Sequence, residues 1–357
     1  MYSVGCTLRL SLFGRSHAER VGCVLDGMPA GVPVDPEEIQ REMDLRRPSD
    51  GIGTARREAD IPVIGSGVTD GMTDGSPILI TIANSNTDSS AYTEFNDRPR
   101  PGHADLPAQF RFRDFDISGG AQFSGRMTAP IVAAGAMARR FLSDRGISIA
   151  AYTRSVHGLE DTSEHTFGEV LGSRRFPTRA ATVDYDRRFS DIIRRAAAEK
   201  DSVGGVVSCA VTGMPIGTGG MWFDALDVSI ARMMFSIPGV KGVSFGRGFG
   251  MTRMKGSESN DQYYYDDGVR ASSNNMGGVV GGMSDGMPLT FDVAVKPTPS
   301  IGREQRTVSL SEKRSASICI GGRHDPCIVP RAVSVVEAMA ALCTADQMLS
   351  FRPASLS

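Results

Sequence analysis

Residues 98–105 and 119–126 combine side chains that can move a proton with side chains that can hold an anion. The first stretch places His103 and Asp105 among arginines and prolines, with too few apolar residues to be core. The second is a glycine- and serine-rich loop that leads into an alanine-rich segment, 128–142, predicted to be a helix. Exposed N–H groups and the helix dipole favour an anion at such a helix start. A single loop of this kind also fits an ordinary polar turn with a helix cap.

Three of the five histidines, His17, His103 and His324, lie in turn-rich polar motifs beside Gly, Ser, Arg or Asp. Histidine is the one side chain whose unperturbed pKa lies near neutral pH, which makes it the usual proton donor in catalysis. A structural role is commoner for any single histidine, but three of five in such surroundings favour function. We expect His157 and His165 to lie on the surface.

A second glycine-dense run, 277–286, lacks the spacing of a Rossmann fingerprint and the GK[ST] of a P-loop. The apolar strand pattern that follows ends at Lys296, beside Thr298 and Ser300 in a proline-rich turn. A lysine at this position can bind phosphate, and it can equally be a solvated strand end. Both interpretations stay open on the residues alone.

Composition excludes some classes of function. The 357 residues carry a net charge of -2, which gives no support to a nucleic-acid or membrane-surface role. Only five of the 39 basic residues are lysines. Arginine binds carboxylate and phosphate better than lysine does, because its guanidinium group can donate two parallel hydrogen bonds. A GC-rich genome would give the same bias. The six cysteines show no CxxC pair, and there is no signal peptide or run of 18 apolar residues. We therefore expect a reduced, cytoplasmic setting and no metal.

Short strand patterns alternate with helix patterns along the chain. Strands are predicted at 8–13, 21–25, 61–64 and 77–82, and a helix follows Asp35, the predicted N-cap, with Pro36 at its first position. A further helix is predicted at 191–200. Residues 46–54 and 302–315 are polar without periodicity, so we expect them to be loops that order on ligand binding.

Three motifs of the first half recur in the second half in the same order. Residues 21–31 match 207–217, residues 74–80 match 285–291, and residues 103–105 match 323–326, with an alanine-rich segment after each member of the last pair. The matches predict one domain, 1–357, built from two pseudo-repeats at about 1–150 and 201–350, joined by an insertion at 151–200. Chance similarity between short Gly/Pro turns is the alternative.

The Gly/Pro turns suit antiparallel pairing, which favours an α+β fold over a doubly wound parallel sheet. The small side chains of 128–142 and 333–349 let helix axes approach closely. We therefore expect these two helices to pack together between sheets.

Six motifs carry a resemblance to a known family. They are Gly-Arg-Ser-His at 14–17, Arg-Pro-Gly-His-Ala-Asp at 100–105, Phe-Ser-Gly-Arg-Met-Thr-Ala-Pro at 123–130, Asn-Asn-Met-Gly-Gly-Val-Val-Gly-Gly at 274–282, Lys-Pro-Thr-Pro-Ser-Ile at 296–301 and Gly-Arg-His-Asp-Pro-Cys-Ile-Val-Pro-Arg-Ala at 322–332. In this order they resemble the chorismate synthase family over residues 4–349.

The resemblance implies an α+β sandwich with helices between two antiparallel sheets, assembled as a homotetramer. It implies a lyase of the shikimate pathway that catalyses the anti 1,4-elimination of phosphate from 5-enolpyruvylshikimate 3-phosphate. The family reaction requires reduced FMN although it has no net redox change. NADPH enters only as a reductant of the flavin.

The resemblance also implies roles for individual residues. His17 matches the histidine held near the reduced flavin, His103 the one that protonates the departing phosphate, and Asp325 the aspartate that relays a proton through flavin N5. Substrate binding is implied for Ser16, Arg46, Arg47, Arg126 and Arg323. FMN binding is implied for Arg46, Ser124, Gly125, Pro238, Gly239, Gly281, Lys296, Pro297, Thr298, Pro299, Ser300 and Arg323.

Three positions depart from the family pattern. Arg15 and Ala18 stand where Glu and Gly are usual, and a cation close to His17 would depress the pKa of that histidine. Ile52 stands where a basic residue is frequent, which argues against an NADPH contact there. A flavin-binding paralogue without turnover is the alternative function. An ordinary NADPH-dependent flavin oxidoreductase is disfavoured, because the sequence has no dinucleotide fingerprint. Because His17, His103 and Asp325 are all present, we favour the active enzyme.

Overall fold

The computed structural model describes residues 2–48, 52–53, 59–85, 90–112, 115–321 and 324–351. Its strands are β1 (Ser3–Val4), β2 (Arg9–Gly14), β3 (Arg20–Asp26), β4 (Pro62–Ser66), β5 (Val68–Thr69), β6 (Met72–Thr73), β7 (Ile78–Ala83), β8 (Ser148–Val156), β9 (Leu159–Glu160), β10 (Gly205–Thr212), β11 (Val240–Phe245), β12 (Tyr263–Tyr265), β13 (Val269–Ala271), β14 (Val279–Val280), β15 (Met283–Ser284), β16 (Leu289–Val295), β17 (Glu304–Ser309) and β18 (Arg314–Cys319).

The α-helices are α1 (Pro36–Arg46), α2 (Asp105–Arg111), α3 (Ala129–Ser143), α4 (Phe167–Gly172), α5 (Val183–Ala198), α6 (Leu226–Phe235), α7 (Gly256–Ser259) and α8 (Val329–Ser350). Short 3-10 turns occupy Ser90–Asn96, Ser118–Phe123, Gly125–Thr128, Ser173–Arg175, Trp222–Asp224 and Gly248–Arg253. The predicted cap of α1 is confirmed, because the Asp35 side chain accepts a hydrogen bond from the Glu37 N–H.

Two five-stranded antiparallel sheets form the outer layers. The first has the order β1-β2-β3-β7-β4, and the second has the order β9-β8-β10-β16-β11. In β7 and β16 buried residues alternate with less buried ones, which is the pattern of a sheet that packs on one face. α3 packs on β3 and β7 of the first sheet, and α8 packs on β8 and β10 of the second. The predicted α+β sandwich with helices between two antiparallel sheets is confirmed.

The alanine-rich helices α3 and α8 pack against each other in the centre of the molecule. Their backbones approach so closely at Gly135 that an added Cβ would lie 2.4 Å from the Cβ of Ala338. By length and hydropathy α8 could cross a membrane, but 83% of its most apolar 18-residue window is buried inside the protein. Its position is that of a core helix.

The two sheets share one order of elements. β3 and β10 hold the same central position, each is followed by a helix (α1 or α6), and each pairs with the strand that closes its half, β7 or β16. The edge strands β4 and β11 each contain a register shift against that closing strand. This correspondence is what a duplicated chain predicts.

Several sequence-based boundaries are wrong in detail. Helix α5 begins at Val183 rather than at residue 191. Within the expected loop 302–315, β17 and the start of β18 form a hairpin. β8, which spans the predicted start of the insertion 151–200, pairs with β10 in the second sheet. His165 is not a surface residue, because its side chain is 5% exposed and its Nε2 lies 2.8 Å from Asp161.

Candidate active site

Two histidines from separate elements meet on adjacent glycines. An added Cβ at Gly119 would lie 2.3 Å from Cδ2 of His17, and one at Gly120 would lie 3.4 Å from Nε2 of His103. Both glycines have positive φ angles, 62° and 81°, which a residue with a side chain rarely adopts. The glycine loop therefore holds the two imidazoles at one place in the fold.

Ser16 belongs to the same cluster. Its backbone N–H donates to the carbonyl of Ala121 at 3.2 Å, which fixes the segment of His17 against the glycine loop. Its hydroxyl is buried and has no hydrogen-bond partner within the part of the chain that the structure describes. A buried hydroxyl without a partner costs free energy, so this atom points to a ligand that completes its hydrogen bonding.

His103 is held by a buried ion pair that sequence reasoning did not assign. Its Nδ1 lies 2.6 Å from Oδ1 of Asp105, a residue that is 1% exposed. Arg100 binds both oxygens of this carboxylate, through Nε at 2.7 Å and through Nη2 at 2.8 Å. Burial alone would raise the pKa of Asp105, but hydrogen bonds from Arg100 and His103 and their charges hold that pKa well below its usual range. Asp105 is thus an anion beside the imidazole.

An aromatic pair connects the two histidines. The ring of Tyr92 stands edge-on to His17, with 5.3 Å between the centroids, and edge-on to Phe95 at 5.7 Å. The guanidinium of Arg100 lies 4.6 Å from the ring centroid of Phe95, a cation–π contact that fixes its plane. The cluster thus runs from His17 through aromatic rings and Arg100 to His103.

Arg46 and Arg126, both expected to bind substrate, share a buried aspartate in this structure. Arg46 Nη1 donates to Oδ2 of Asp60 at 3.0 Å, and Arg126 Nη1 donates to Oδ1 of the same side chain. Each of the three side chains is at most 5% exposed. Arg126 Nε also donates to Asn84 at 2.8 Å, and Asn84 donates to the carbonyl of Ala18 at 2.6 Å. The bridge therefore connects the end of α1 to the segment that carries His17.

A cleft lies between the end of α1 and the start of α8. It is lined by Arg47, Arg179 and Arg331 together with Leu45, Pro48, Ile52, Gly53, Cys327 and Pro330. Arg331 Nη1 donates to Oδ2 of Asp325 at 2.5 Å, and its Nε donates to the carbonyl of Arg46 at 3.3 Å. The lining of the cleft thus combines residues from both halves of the chain, three of them arginines.

The segment that the resemblance assigns to FMN packs against the loop of His103. Lys296 Nζ donates to the carbonyl of Gly102, and the backbone N–H of Lys296 donates to the carbonyl of Gly239 at 2.9 Å. Arg100 Nη1 donates to Ser300 Oγ at 3.3 Å. Burial and the neighbouring Lys241 lower the pKa of Lys296 below its ordinary value. The hydroxyl of Thr298 is buried and lacks a partner in the described ranges.

Other predicted residues fall in three places. Ser124 and Gly125 follow the glycine loop, where the Ser124 hydroxyl accepts from the Arg126 N–H and the Gly125 carbonyl accepts from Arg46. Gly281 lies in the turn between β14 and β15, and the carbonyl of its neighbour Gly282 accepts from the Leu226 N–H at the start of α6. Arg323 lies outside the described residues.

The departures from the family pattern have structural counterparts. Arg15 Nη1 lies 3.1 Å from Oδ2 of Asp116, so its charge is paired at the surface. Hydrogen bonds from Ser118 and the charges of Arg15 and His17 lower the pKa of Asp116. Ile52 is 5% exposed and packs in the wall of the cleft.

Sequence reasoning missed the partners that orient the predicted groups. Asp105 and Arg331 stand inside the motifs quoted above, and their positions next to His103 and Asp325 were the available signal. Asp60 and Arg179 lie in segments without a motif, so nothing in the sequence pointed to them.

The fold and this arrangement define a sandwich-type α+β enzyme suited to acid–base chemistry on an anionic small molecule. A model of the family described as chorismate synthase matches residues 8–349. The chain is 43% identical over 350 residues to the chorismate synthase of Dehalococcoides mccartyi, covering 97% of this chain and 96% of that one. It is 44% identical over 349 residues to that of Korarchaeum cryptofilum, with coverage of 97% and 96%.

A solved structure agrees with these sequence relatives. A crystal structure of chorismate synthase matches with a TM-score of 0.78 at 29% identity, covering 97% of this chain and 93% of that chain. The chain therefore belongs to the chorismate synthase family, the lyases of that name.

Proposed function

We propose that this chain catalyses the anti 1,4-elimination of phosphate from 5-enolpyruvylshikimate 3-phosphate, which gives chorismate in aromatic amino acid biosynthesis. The observation that carries the proposal is the meeting of His17 and His103 on adjacent glycines within a chain that matches the family over residues 8–349. An elimination of phosphate needs a proton donor at the leaving group and a base at the opposite end of the allylic system.

His103 is the proposed donor to the departing phosphate. A phosphate leaves more readily when its oxygen is protonated as the C–O bond breaks. The buried carboxylate of Asp105 at Nδ1 leaves Nε2 as the ring nitrogen that faces the glycine loop, 3.4 Å from Arg100 Nη2, and Nε2 is the atom proposed to exchange a proton.

The substrate carries a phosphate and two carboxylates, which require several fixed cations. The cleft with Arg47 and Arg331 is the proposed anion site, with the bridged pair Arg46 and Arg126 at its edge. The buried hydroxyl of Ser16 supports a contact with the substrate beside His17. Arg323 has the same proposed role by the family motif.

The residues present fit a flavin phosphate and ribityl chain. Buried Thr298 Oγ1 lacks a partner among the described residues, and Lys296 and Ser300 lie two positions before and after it in the segment that follows β16. We propose that this segment holds FMN together with Pro238, Gly239, Gly281, Pro297, Pro299, Ser124, Gly125, Arg46 and Arg323. Reduced FMN, when bound, supplies electron density that helps the allylic phosphate to depart. NADPH has a role only as its reductant.

His17 and Asp325 complete the proposed proton chemistry. His17 is proposed to hold a proton near the flavin, with its ring supported by Tyr92. Asp325 is the carboxylate proposed to relay the proton that leaves C6 of the substrate, while the electrons of that C–H bond shift through the ring to expel phosphate. Arg331 fixes the orientation of this carboxylate.

We also propose a cytoplasmic homotetramer. The six cysteines are free thiols, as in a reducing compartment. Trp222, Phe223 and Phe249 are 84%, 91% and 87% exposed in one protomer, and aromatic side chains so exposed are typical of a protein interface. Light scattering that gives the mass of four chains is the expected result, and a monomer would contradict it.

The test of the activity is an anaerobic assay with 5-enolpyruvylshikimate 3-phosphate and dithionite-reduced FMN. Phosphate and chorismate are expected in equal amounts, with no net consumption of reduced flavin. Flavin binding without phosphate release would instead favour the paralogue that has lost turnover.

A further inference from the structure

Asp105 stands between Arg100 and His103, and its two oxygens accept from both. Oδ2 accepts the backbone N–H of Arg100 at 3.1 Å and its Nε at 2.7 Å. Oδ1 accepts Arg100 Nη2 at 2.8 Å and lies 2.6 Å from His103 Nδ1. With Arg100 6% and Asp105 1% exposed, the carboxylate is locked in one orientation.

This geometry decides which ring nitrogen of His103 carries a proton. An anionic oxygen at 2.6 Å can only accept, so Nδ1 has to donate to it. In the neutral ring Nε2 is then the nitrogen without a proton, and it is the one next to Gly120. The same ring, when protonated, presents its exchangeable proton at Nε2.

We propose that Asp105, itself oriented by Arg100, is a positioning residue that fixes the Nδ1–H tautomer of His103 and aims Nε2 into the site. The proposal deepens the proposed function, because it rests on His103 as the donor to the departing phosphate. A carboxylate that only capped α2 would need neither the hydrogen bonds from the Arg100 guanidinium nor the contact with the imidazole.

The structure predicts what Asp105→Asn does. The amide oxygen will take the Oδ2 position, because the Arg100 backbone N–H there cannot change from donor to acceptor. The amide NH2 will then face both His103 and Arg100 Nη2, so Nη2 loses its acceptor, and the His103 ring can respond by moving its proton from Nδ1 to Nε2. The variant therefore inverts the tautomer of His103 and keeps only the Oδ2 contacts of Arg100.

The experiment measures ring nitrogen shifts of 15N-histidine-labelled protein by NMR, with the His103 signals assigned through His103→Gln. The wild type is expected to show neutral His103 protonated at Nδ1, and Asp105→Asn is expected to show it protonated at Nε2. A control, Asp97→Asn, removes a half-buried carboxylate that accepts from Ser309 and Ser311, and it should leave the His103 signals unchanged.

Turnover provides the second reading. Asp105→Asn is expected to lower kcat by about 10²-fold or more with little change in KM, the scale of a misplaced proton donor, and Asp105→Glu should restore part of it.

An Nε2–H tautomer in the wild type, or an unchanged tautomer in Asp105→Asn, would overturn the proposal. If Asp105→Asn does not fold, the wild-type tautomer still decides. The expected tautomers combined with full turnover in His103→Gln would leave the positioning intact and refute the catalytic role of His103.

Discussion

At the scale of single residues, Gly119 and Gly120 leave the space in which the imidazoles of His17 and His103 lie. The Cβ position of Gly119 is occupied by the ring of His17 and lies 2.7 Å from the hydroxyl of Ser16. Its φ of 62° adds a conformational cost for any residue with a side chain. A methyl group at this position has to displace the imidazole.

Gly119→Ala is therefore expected to lower turnover by about 10²-fold, because a shift of roughly 1 Å in a reacting group has a cost of that order. Gly146→Ala is the matched control, since Gly146 has a φ of 76° but nothing within 4 Å of its Cβ position. The control should lose stability of about 1 kcal/mol from backbone strain and keep its turnover. Equal losses of turnover in the two variants would refute a specific contact with His17.

The sequence indicated the groups that do chemistry better than the groups that orient them. His17 and His103 stood out because they lie among Gly, Ser and Arg in polar turns. Asp60 could not be predicted, since its bonds to Arg46 and Arg126 join residues 14 and 66 positions apart in the chain. The roles proposed for the individual site residues stay predictions.

At the scale of elements, the contact of α3 with α8 sets the distance between the two sheets. Gly135 lies in α3 with ordinary helical geometry. Glycine is needed there because a side chain has no room, and not because of the φ angle. Its Cβ position is 2.4 Å from the Cβ and 2.6 Å from the Cα of Ala338. A backbone cannot yield as a flexible side chain can.

Gly135→Val is expected to destabilise the fold by about 1–3 kcal/mol or more, the range for overpacking a core. Thermal unfolding of the purified variant measures the effect as a lower Tm. Gly168→Ala in α4, where nothing lies within 4 Å of the Cβ position, should stay within about 0.5 kcal/mol of the wild type. A wild-type Tm for Gly135→Val would show that the helices can separate without cost.

Periodicity and turn residues predicted the apolar elements well, and the polar ones poorly. The strands at the centre of each sheet and both alanine-rich helices were found because their buried faces repeat in the sequence. The β17–β18 hairpin was missed because only Ser309 and Ile318 of its strands are buried. The start of α5 was missed because its first turn is polar, with Asp184 and Asp186.

At the scale of the whole molecule, a buried ionic network joins helices that belong to different parts of the chain. Glu337 of α8 lies 3.1 Å from Arg139 of α3 and 2.6 Å from Arg174. Arg174 also lies 2.7 Å from Glu42 of α1. Burial alone would raise the pKa of Glu42, but Arg139 and Arg174 outweigh it and lower that pKa below its ordinary value.

A carboxylate whose pKa is lowered by folding stabilises the protein above its ordinary pKa, and this stability is lost as the pH falls through the folded value. The free energy of unfolding is therefore expected to fall below about pH 4.3, the ordinary value for Glu. Urea unfolding at pH 6 and pH 3.5 measures the drop. Glu42→Gln should be less stable at pH 6 and show a smaller drop, and a drop equal to the wild type would remove Glu42 from the effect.

The internal duplication stays a prediction, but it organises the site. His17 and His103 come from the first half, whereas Asp325, Arg331 and the 296–300 segment come from the second. The proposed site therefore needs groups from both halves of the chain.

The central claim is that the meeting of His17 and His103 marks the place of the elimination. The most direct measurement is anaerobic phosphate release, with reduced FMN, from His103→Ala and Asp325→Asn, against His157→Ala, whose histidine is exposed. The two site variants are expected to lose about 10²-fold or more in turnover, the usual scale for a positioned proton donor or acceptor, while His157→Ala keeps the wild-type rate. Wild-type turnover in His103→Ala would contradict the account.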